Sequence, residues 1–160
     1  PQFMPSSWRR LAVDFDGDGK IDLINNPVDA IGSIANYFNA NGWKTGEPVV
    51  VRARITSQDY DGIISKDLKA ANTLGEIAKK GLAPREAASY LASTPASAIR
   101  LQGDNGGEFW LGFTNFYVIT TYNRSIMYAM AAFQLSQELK TAREAELANT
   151  TATALPAETP

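Results

Sequence analysis

The chain has 160 residues and a formal net charge of −2, from 15 Lys and Arg against 17 Asp and Glu. This length suits one domain with or without a tail, and a slightly acidic chain lacks the basic surface that nucleic-acid binding needs. The chain contains no Cys and no His, which excludes disulfides, thiolate and imidazole metal ligands, and Ser-His or Cys-His catalysis. No apolar run approaches the ~18 residues of a membrane span. Carboxylates, Tyr, Lys, amides and oxygen-ligated metals remain as candidate chemistry.

The first part of the chain predicts a loop followed by a helix. Residues 14–26 are dense in Asp, Gly and Asn, a composition typical of loops. Asn26 before Pro27 predicts the helix start, because Asn is a favoured N-cap and proline suits the first helical position. Apolar residues then recur at helical spacing until Asn41, which a glycine follows.

The remainder predicts strands and short helices. Runs of β-branched residues predict a strand, Thr73 with Glu76 predicts a capping box, and a glycine-rich turn between two apolar runs predicts a hairpin. In chain order, the predicted elements are a strand at 48–55, a short helix ending at Gly81, another from Ala83 to Leu91, hairpin strands at 97–101 and 109–113, and a final helix from Ile126 to about Leu147. The polar residues 147–160 predict a disordered tail.

The sharpest local motif lies in the acidic loop. Its spacing matches the calcium-loop pattern D-x-[DN]-x-[DN]-G, in which carboxylates alternate along the chain. Ca²⁺ is a hard cation that takes six to eight oxygen ligands, and clustered carboxylates without a cation would repel one another. The candidate ligands are the side chains of Asp14, Asp16, Asp18 and Asp22 and the backbone carbonyl of Lys20, with Gly19 at the sharp turn.

The end of this loop departs from the calcium pattern. Asn25 stands where a bidentate Glu is usual, and Asp29, in the first turn of the following helix, is a candidate to close the site instead. Whether Asp22 or Asp29 completes the metal site stays open. Na⁺ or Mg²⁺ could also occupy it, and a solvated acidic turn without an ion is the alternative. The motif therefore predicts a metal but not a function.

Several polar and aromatic residues fall outside the apolar face of the predicted helices. Tyr37 lies beside that face in the first helix, and Tyr122, Asn123 and Tyr128 occur within one short stretch. Flat rings with hydroxyl and amide groups suit the face and the edge of a sugar ring. The alternative is that these rings are simply buried with their hydroxyls at the surface. Glu108, after two glycines, is a candidate acid or else a solvated turn residue.

Three segments together resemble the lytic murein transglycosylase B family. They are QFMPSSW at 2–8, AVDFDGDGKIDL…NPVDAIGSIANYF at 12–38, and FWLGFTNFYVITTYNRSIMYAMA at 109–131. The resemblance implies an α+β fold with part of a lysozyme-like core, an EF-hand-like metal loop at 14–29 and a small β-hairpin. It divides the chain into a partial transglycosylase domain, residues 1–146, and the tail.

The resemblance also implies an activity, the cleavage of the MurNAc–GlcNAc β-1,4 bond in peptidoglycan. In this family a Glu acts as general acid, and the sugar's own C6 hydroxyl closes a 1,6-anhydro ring, unlike the two-carboxylate scheme of ordinary glycosidases. That Glu lies upstream of the segment that QFMPSS matches. The resemblance therefore implies no catalytic residue within this chain, and the chain alone is predicted to be inactive.

The resemblance also matches site positions of the family to individual residues of this chain. The substrate-cleft positions match Gln2, Tyr37, Tyr122 and Tyr128, with Asn123 beside them, and the metal positions match Asp14, Asp16, Asp18, the Lys20 carbonyl and Asp29. Thr121 stands where the family commonly has Arg, and the loop is one residue longer near Asn25. The resemblance implies glycan strands as partner, a monomer and a periplasmic location, and leaves open an outer-membrane anchor before Pro1. The alternative function is a non-catalytic, calcium-dependent glycan-binding module.

Overall fold

The computed structural model of the chain describes residues 1–65, 69–86 and 90–153. The α-helices are Pro5–Leu11 (α1), Pro27–Ala40 (α2), Leu74–Lys79 (α3), Thr114–Tyr122 (α4) and Ile126–Thr153 (α5), and a short 3₁₀ helix spans Asp61–Ile63. The strands are Val50–Ile55 (β1), Asn72–Thr73 (β2), Leu82–Pro84 (β3), Pro95–Gly103 (β4) and Gly106–Gly112 (β5). The chain divides into two compact units, and the second begins at Ser125 and contains α5. Within the described residues, no helix combines the length and the apolar composition needed to cross a membrane.

A five-stranded antiparallel sheet forms the centre of the first unit. The strand order is β2-β4-β5-β1-β3. The predicted hairpin is confirmed, since β4 pairs with β5 from Ser97 opposite Gly112 to Gly103 opposite Gly106. The hairpin and the predicted strand at 48–55 belong to one sheet, with the hairpin in its middle. The strands that were not predicted have only two and three residues, too few to show an alternating pattern.

The predicted helix from Ala83 to Leu91 was wrong at its start. Residues Leu82–Pro84 form β3, which pairs with β1 in the register Ala53 opposite Pro84. Proline at a helix start and proline at a sheet edge look alike in sequence, and β3 is an edge strand, where a missing N–H is tolerated. Residues 87–89 of the predicted helix lie outside the described residues.

Helix α3 covers one face of the sheet. Its side chains Leu74 and Ile77 are buried against residues of the strands, and the core cluster is completed by Leu82, Ala96, Ala98, Leu111 and Phe113. Thr73 and Glu76 form the predicted capping box, in which Glu76 N donates to Thr73 Oγ1 and Thr73 N donates to the Glu76 carboxylate at 2.7 Å. The hydrogen bonds that the Glu76 carboxylate accepts from the backbone N–H and the hydroxyl of Thr73 hold the pKa of Glu76 below its ordinary value of 4.5. Its contribution to stability is therefore complete above about pH 4.5 and is lost as the pH falls through the lowered pKa.

Thr73→Ala is expected to lower the free energy of unfolding by about 1 kcal/mol, because it leaves the first amides of α3 without their side-chain acceptor. Urea denaturation at pH 7 measures the change. Thr73→Ser is the matched control, since serine keeps the hydroxyl and should retain most of the stability. Equal losses for both variants would show that the methyl group matters and the cap does not.

Helices α1 and α2 flank the acidic loop. The side chain of Asn26 accepts hydrogen bonds from Val28 N and Asp29 N, as the predicted N-cap requires. Two polar residues of α2 then hold the end of α1: Ser33 Oγ accepts from Val13 N at 2.9 Å, and Asn36 Nδ2 donates to Leu11 O at 2.9 Å. The two helices and the loop between them form a helix–loop–helix unit.

Helix α5 is longer than the sequence predicts. It extends to Thr153, so residues 147–153 are helical where a disordered tail was expected, and residues 154–160 lie outside the described residues. The Ala, Glu and Leu residues that precede position 147 are strong helix formers and carry the helix onward. At its start, Ser125 Oγ accepts a hydrogen bond from Tyr128 N at 3.2 Å.

Candidate functional site

Three aromatic rings from distant parts of the chain meet beside the N-terminal segment. The rings of Tyr37 in α2 and Tyr122 at the end of α4 lie edge to face with centroids 5.5 Å apart. Phe3 contacts both, at 5.7 Å from Tyr37 and 6.1 Å from Tyr122. Phe38 and Trp43 extend the group, stacked at 5.6 Å. We call these five residues the aromatic cluster.

Hydrogen bonds hold the two tyrosines of the aromatic cluster to backbone groups of neighbouring segments. Gln2 N donates to the Tyr122 hydroxyl at 3.0 Å, which ties the N-terminal segment to α4. The Tyr37 hydroxyl donates to Thr121 O at 2.9 Å, which ties α2 to α4. The two tyrosines are half-buried and Gln2 is exposed. The structure thus brings together three of the five predicted cleft residues at a partly exposed place.

The other two predicted cleft residues, Asn123 and Tyr128, are not members of the aromatic cluster. Asn123 is exposed and directly follows Tyr122 as the C-cap of α4. Tyr128 is exposed in the second unit, on α5. Thr121 donates its hydroxyl to Val118 O at 2.7 Å within its own helix.

Glu108, the candidate acid outside the loop, lies on the sheet. Its carboxylate is 3.5 Å from the Arg52 guanidinium, and both side chains are substantially exposed. The aromatic cluster, in contrast, is built from the N-terminal segment, α2, α4 and the residues after α2. Glu108 therefore lies on a different element from the members of the aromatic cluster.

The acidic loop collects three carboxylates. Oxygen atoms of Asp14, Asp16 and Asp18 lie within 4.8 Å of one another. Gly17 and Gly19 have φ values of 78° and 87°, which L side chains rarely adopt and which let the loop turn as the motif requires. The donor set, oxygen atoms alone at alternate positions, fits a hard cation such as Ca²⁺.

Backbone amides also converge on these carboxylates. Asp14 accepts hydrogen bonds from three loop amides, those of residues 17, 18 and 19. Asn26 Nδ2 donates to Asp16 at 2.8 Å and holds the pKa of Asp16 below its ordinary value. The backbone amide of Asn25 does the same for the pKa of Asp22. These bonds favour the ionised form of Asp16 and of Asp22, which is the form that binds a cation.

Asp29 holds the loop from inside. Its side chain is fully buried; Oδ1 accepts from Phe15 N at 2.8 Å and Oδ2 accepts from Asp22 N at 2.9 Å. One carboxylate thus joins both arms of the loop to the first turn of α2, where the helix dipole favours a negative charge. In the structure, neither Asp29 nor Asp22 belongs to the group of three carboxylates.

Sequence reasoning missed two contributors to these sites. Phe3 contacts both tyrosines, and only its place in the QFMPSSW segment could have drawn attention to it. Asn26 was predicted as a helix cap, but its amide nitrogen also binds Asp16, so one side chain couples the helix start to the loop. Neither role leaves a periodic signal in the sequence.

Comparison with known proteins places these features in a family. Residues 1–137 match the family model described as "Transglycosylase SLT domain". The chain belongs to this family. "Membrane-bound lytic murein transglycosylase B" of Escherichia coli (strain K12) is 44% identical over 142 residues, which are 89% of this chain and 37% of that protein.

Solved structures agree with this assignment. Soluble lytic transglycosylase SltB1 of Pseudomonas aeruginosa, solved in a catenated form, has 48% sequence identity and a TM-score of 0.83 over 89% of this chain and 46% of its own. Escherichia coli lytic transglycosylase Slt35, solved in complex with calcium, has 44% identity and a TM-score of 0.77 over 89% of this chain and 43% of its own. The mixed helix and sheet fold is therefore that of solved lytic transglycosylases. The chain spans less than half the length of these relatives.

Proposed function

We propose that this chain is part of a peptidoglycan lytic transglycosylase that cleaves the β-1,4 bond between MurNAc and GlcNAc. The observation that carries the proposal is the aromatic cluster beside Gln2, within the segment that matches the transglycosylase family. Half-buried tyrosine rings with fixed hydroxyls suit a pyranose, which offers an apolar face and a polar edge. The similarity to lytic murein transglycosylase B supports the same substrate.

The reaction we propose needs one acid and no attacking water. A Glu protonates the glycosidic oxygen as the bond from C1 of MurNAc to that oxygen breaks. The C6 hydroxyl of the same sugar then bonds to C1 and returns its proton to the Glu, which leaves 1,6-anhydroMurNAc and a free GlcNAc hydroxyl. By family resemblance, the Glu is expected upstream of Pro1 in the full-length protein. An acid in that role needs a raised pKa, which an apolar, aromatic-lined site supplies.

The residues of this chain would bind and orient the glycan. Tyr37 and Tyr122 would stack on sugar rings, while Gln2 and Asn123 would hydrogen-bond the N-acetyl and ring substituents, and Tyr128 is proposed as a further contact. Holding the sugar in one orientation lowers the barrier, because it removes the entropy cost of finding the reactive geometry. The bond from Gln2 N to Tyr122 keeps the N-terminal segment in place for this task.

We also propose that the acidic loop binds a structural Ca²⁺. The three clustered carboxylates would be ligands, and the Lys20 carbonyl and Asp22 or Asp29 are candidates to complete the site. The calcium complex of the related Slt35 supports this choice over Na⁺ or Mg²⁺. Calcium when bound would offset much of the loop's negative charge and stabilise the start of α2, without taking part in the reaction.

The proposed setting follows from the proposed substrate. Peptidoglycan lies in the periplasm, so we propose that location, with glycan strands as the partner and a monomeric protein. The net charge of −2 gives no general attraction to nucleic acid.

Tyr122→Phe is expected to weaken binding of a peptide-free GlcNAc–MurNAc tetrasaccharide roughly fivefold. The variant loses the hydroxyl that accepts from Gln2 N and keeps the N-terminal segment in place, and a fivefold change corresponds to one hydrogen bond of about 1 kcal/mol. Isothermal titration calorimetry of the chain measures it. Tyr60→Phe is the matched control, since Tyr60 lies on the sheet against Phe109 at 5.0 Å. Equal affinity of Tyr122→Phe and the parent, or an equal loss in both variants, would count against a glycan cleft at the aromatic cluster.

A further inference from the structure

Three arginines lie together on one face of the sheet. Arg52 and Arg54 are two residues apart on β1 and so point to the same side. Arg85 follows β3, and its backbone N–H donates to Arg52 O at 2.8 Å, which places it opposite Arg52. Residues opposite each other on antiparallel strands share a face. All three are exposed, and we call them the arginine face.

The arginine face carries more positive charge than its surroundings neutralise. Arg52 is 3.5 Å from the Glu108 carboxylate, and its guanidinium lies 4.6 Å from the centre of the Trp110 ring. Arg54 and Arg85 have no ion-pair partner within the parts of the chain that the structure describes. Among the described residues, Glu108 is therefore the one carboxylate that forms an ion pair with these three arginines.

A bound anion would reduce the repulsion between arginines on this face. Like charges directly opposite on neighbouring strands destabilise a sheet, and Arg52 and Arg85 are such a pair. The stack of Arg52 on Trp110 also restricts one guanidinium, so less rotamer entropy would be lost when it binds an anion. Planar guanidinium groups bind carboxylates through two parallel hydrogen bonds.

We propose that the arginine face binds the carboxylates of peptidoglycan stem peptides. This inference rests on the proposed function, because the stem peptides are the part of peptidoglycan that carries free carboxylates close to the glycan. The face lies on β1 and β3, whereas the aromatic cluster lies on the N-terminal segment, α2 and α4. A second contact to the same polymer raises overall affinity through its effective concentration, without new contacts at the cleft.

Two ligands test the arginine face and the aromatic cluster independently. They are a free stem pentapeptide and a peptide-free GlcNAc–MurNAc tetrasaccharide, and the affinity of the chain for each is measured. The Arg54→Gln/Arg85→Gln double variant should bind the pentapeptide roughly five- to tenfold more weakly at low salt, as expected for two exposed charge pairs, and the tetrasaccharide equally well. Lys140→Gln/Arg143→Gln on α5 removes the same charge and is the matched control. Glu108→Gln removes the competing carboxylate and should tighten pentapeptide binding about twofold.

Several results would overturn the assignment. The arginine face would be rejected if the double variant kept its affinity for the pentapeptide or if the α5 control lost as much. It would also be rejected if the pentapeptide with amidated carboxylates bound equally well, or if inorganic phosphate competed as strongly as the peptide. Tetrasaccharide binding without peptide binding would reject the arginine face and leave the proposed function standing. Peptide binding without tetrasaccharide binding would support the arginine face and count against the glycan cleft.

Discussion

Asp29→Ala is expected to lower the free energy of unfolding by roughly 3 kcal/mol in chelator, and by at least as much in calcium. The buried carboxylate accepts one hydrogen bond from Phe15 N and one from Asp22 N, and bonds to a charged acceptor contribute about 1.5 kcal/mol each. Alanine leaves both amides without an acceptor and frees both arms of the loop. Urea denaturation followed by circular dichroism measures the loss.

Two variants calibrate this result. Asp29→Asn keeps the shape and one acceptor oxygen, so it should lose less stability than Asp29→Ala. Asp59→Ala removes an exposed carboxylate that pairs with Lys80 at 3.3 Å and should change stability by no more than about 0.5 kcal/mol. If Asp29→Ala were as stable as the parent in chelator, the carboxylate would not be holding the loop.

Asp14→Ala is expected to abolish most of the stabilisation that calcium gives. A ligand that binds only the folded chain stabilises it by about 2.7 kcal/mol at a hundredfold excess over its dissociation constant, and Asp14 is one of the three clustered carboxylates. In chelator, the loss should stay within about 1 kcal/mol, since water can replace this carboxylate at the exposed amides it accepts from. Thermal melts with and without calcium measure both values.

The same Asp59→Ala variant serves as a control here and should keep the full calcium response. A parent chain that melts at the same temperature with and without millimolar calcium would remove the case for a structural cation. A similar response to Mg²⁺ and Ca²⁺ would instead show that the loop does not select between them.

The elements that could be predicted from sequence are those with a local cause. The capping box at Thr73 needs only residues three positions apart, and the β4–β5 hairpin follows from alternation around a glycine-rich turn. Helix α4 was not predicted, because its buried residues lie on several sides and leave no single apolar stripe. They are Asn115, Phe116, Val118, Ile119 and Thr120. Strand β3 depends on its pairing with β1, which no local pattern encodes.

Within the candidate sites, too, the features with a local cause could be predicted and those that depend on distant residues could not. The motif placed Asp14, Asp16 and Asp18 correctly within one cluster, because alternate positions of a tight loop must lie close together. The meeting of Tyr37 with Tyr122 depends on the packing of α2 against α4, 85 positions apart in the sequence, and only the family resemblance predicted a shared cleft. The role of Asp29 as an acceptor for loop amides depends on its burial, which spacing alone does not show.

The products that the full-length protein releases from purified peptidoglycan sacculi test the central proposal most directly. Mass spectrometry distinguishes 1,6-anhydroMurNAc ends from hydrolysed ends, because the anhydro products are lighter by one water. We expect anhydro ends from the full-length protein and no products from this chain alone, since the proposed acid lies before Pro1. Reducing MurNAc ends, or no products from the full-length protein, would contradict a transglycosylase, and anhydro products from this chain alone would contradict the proposed position of the acid.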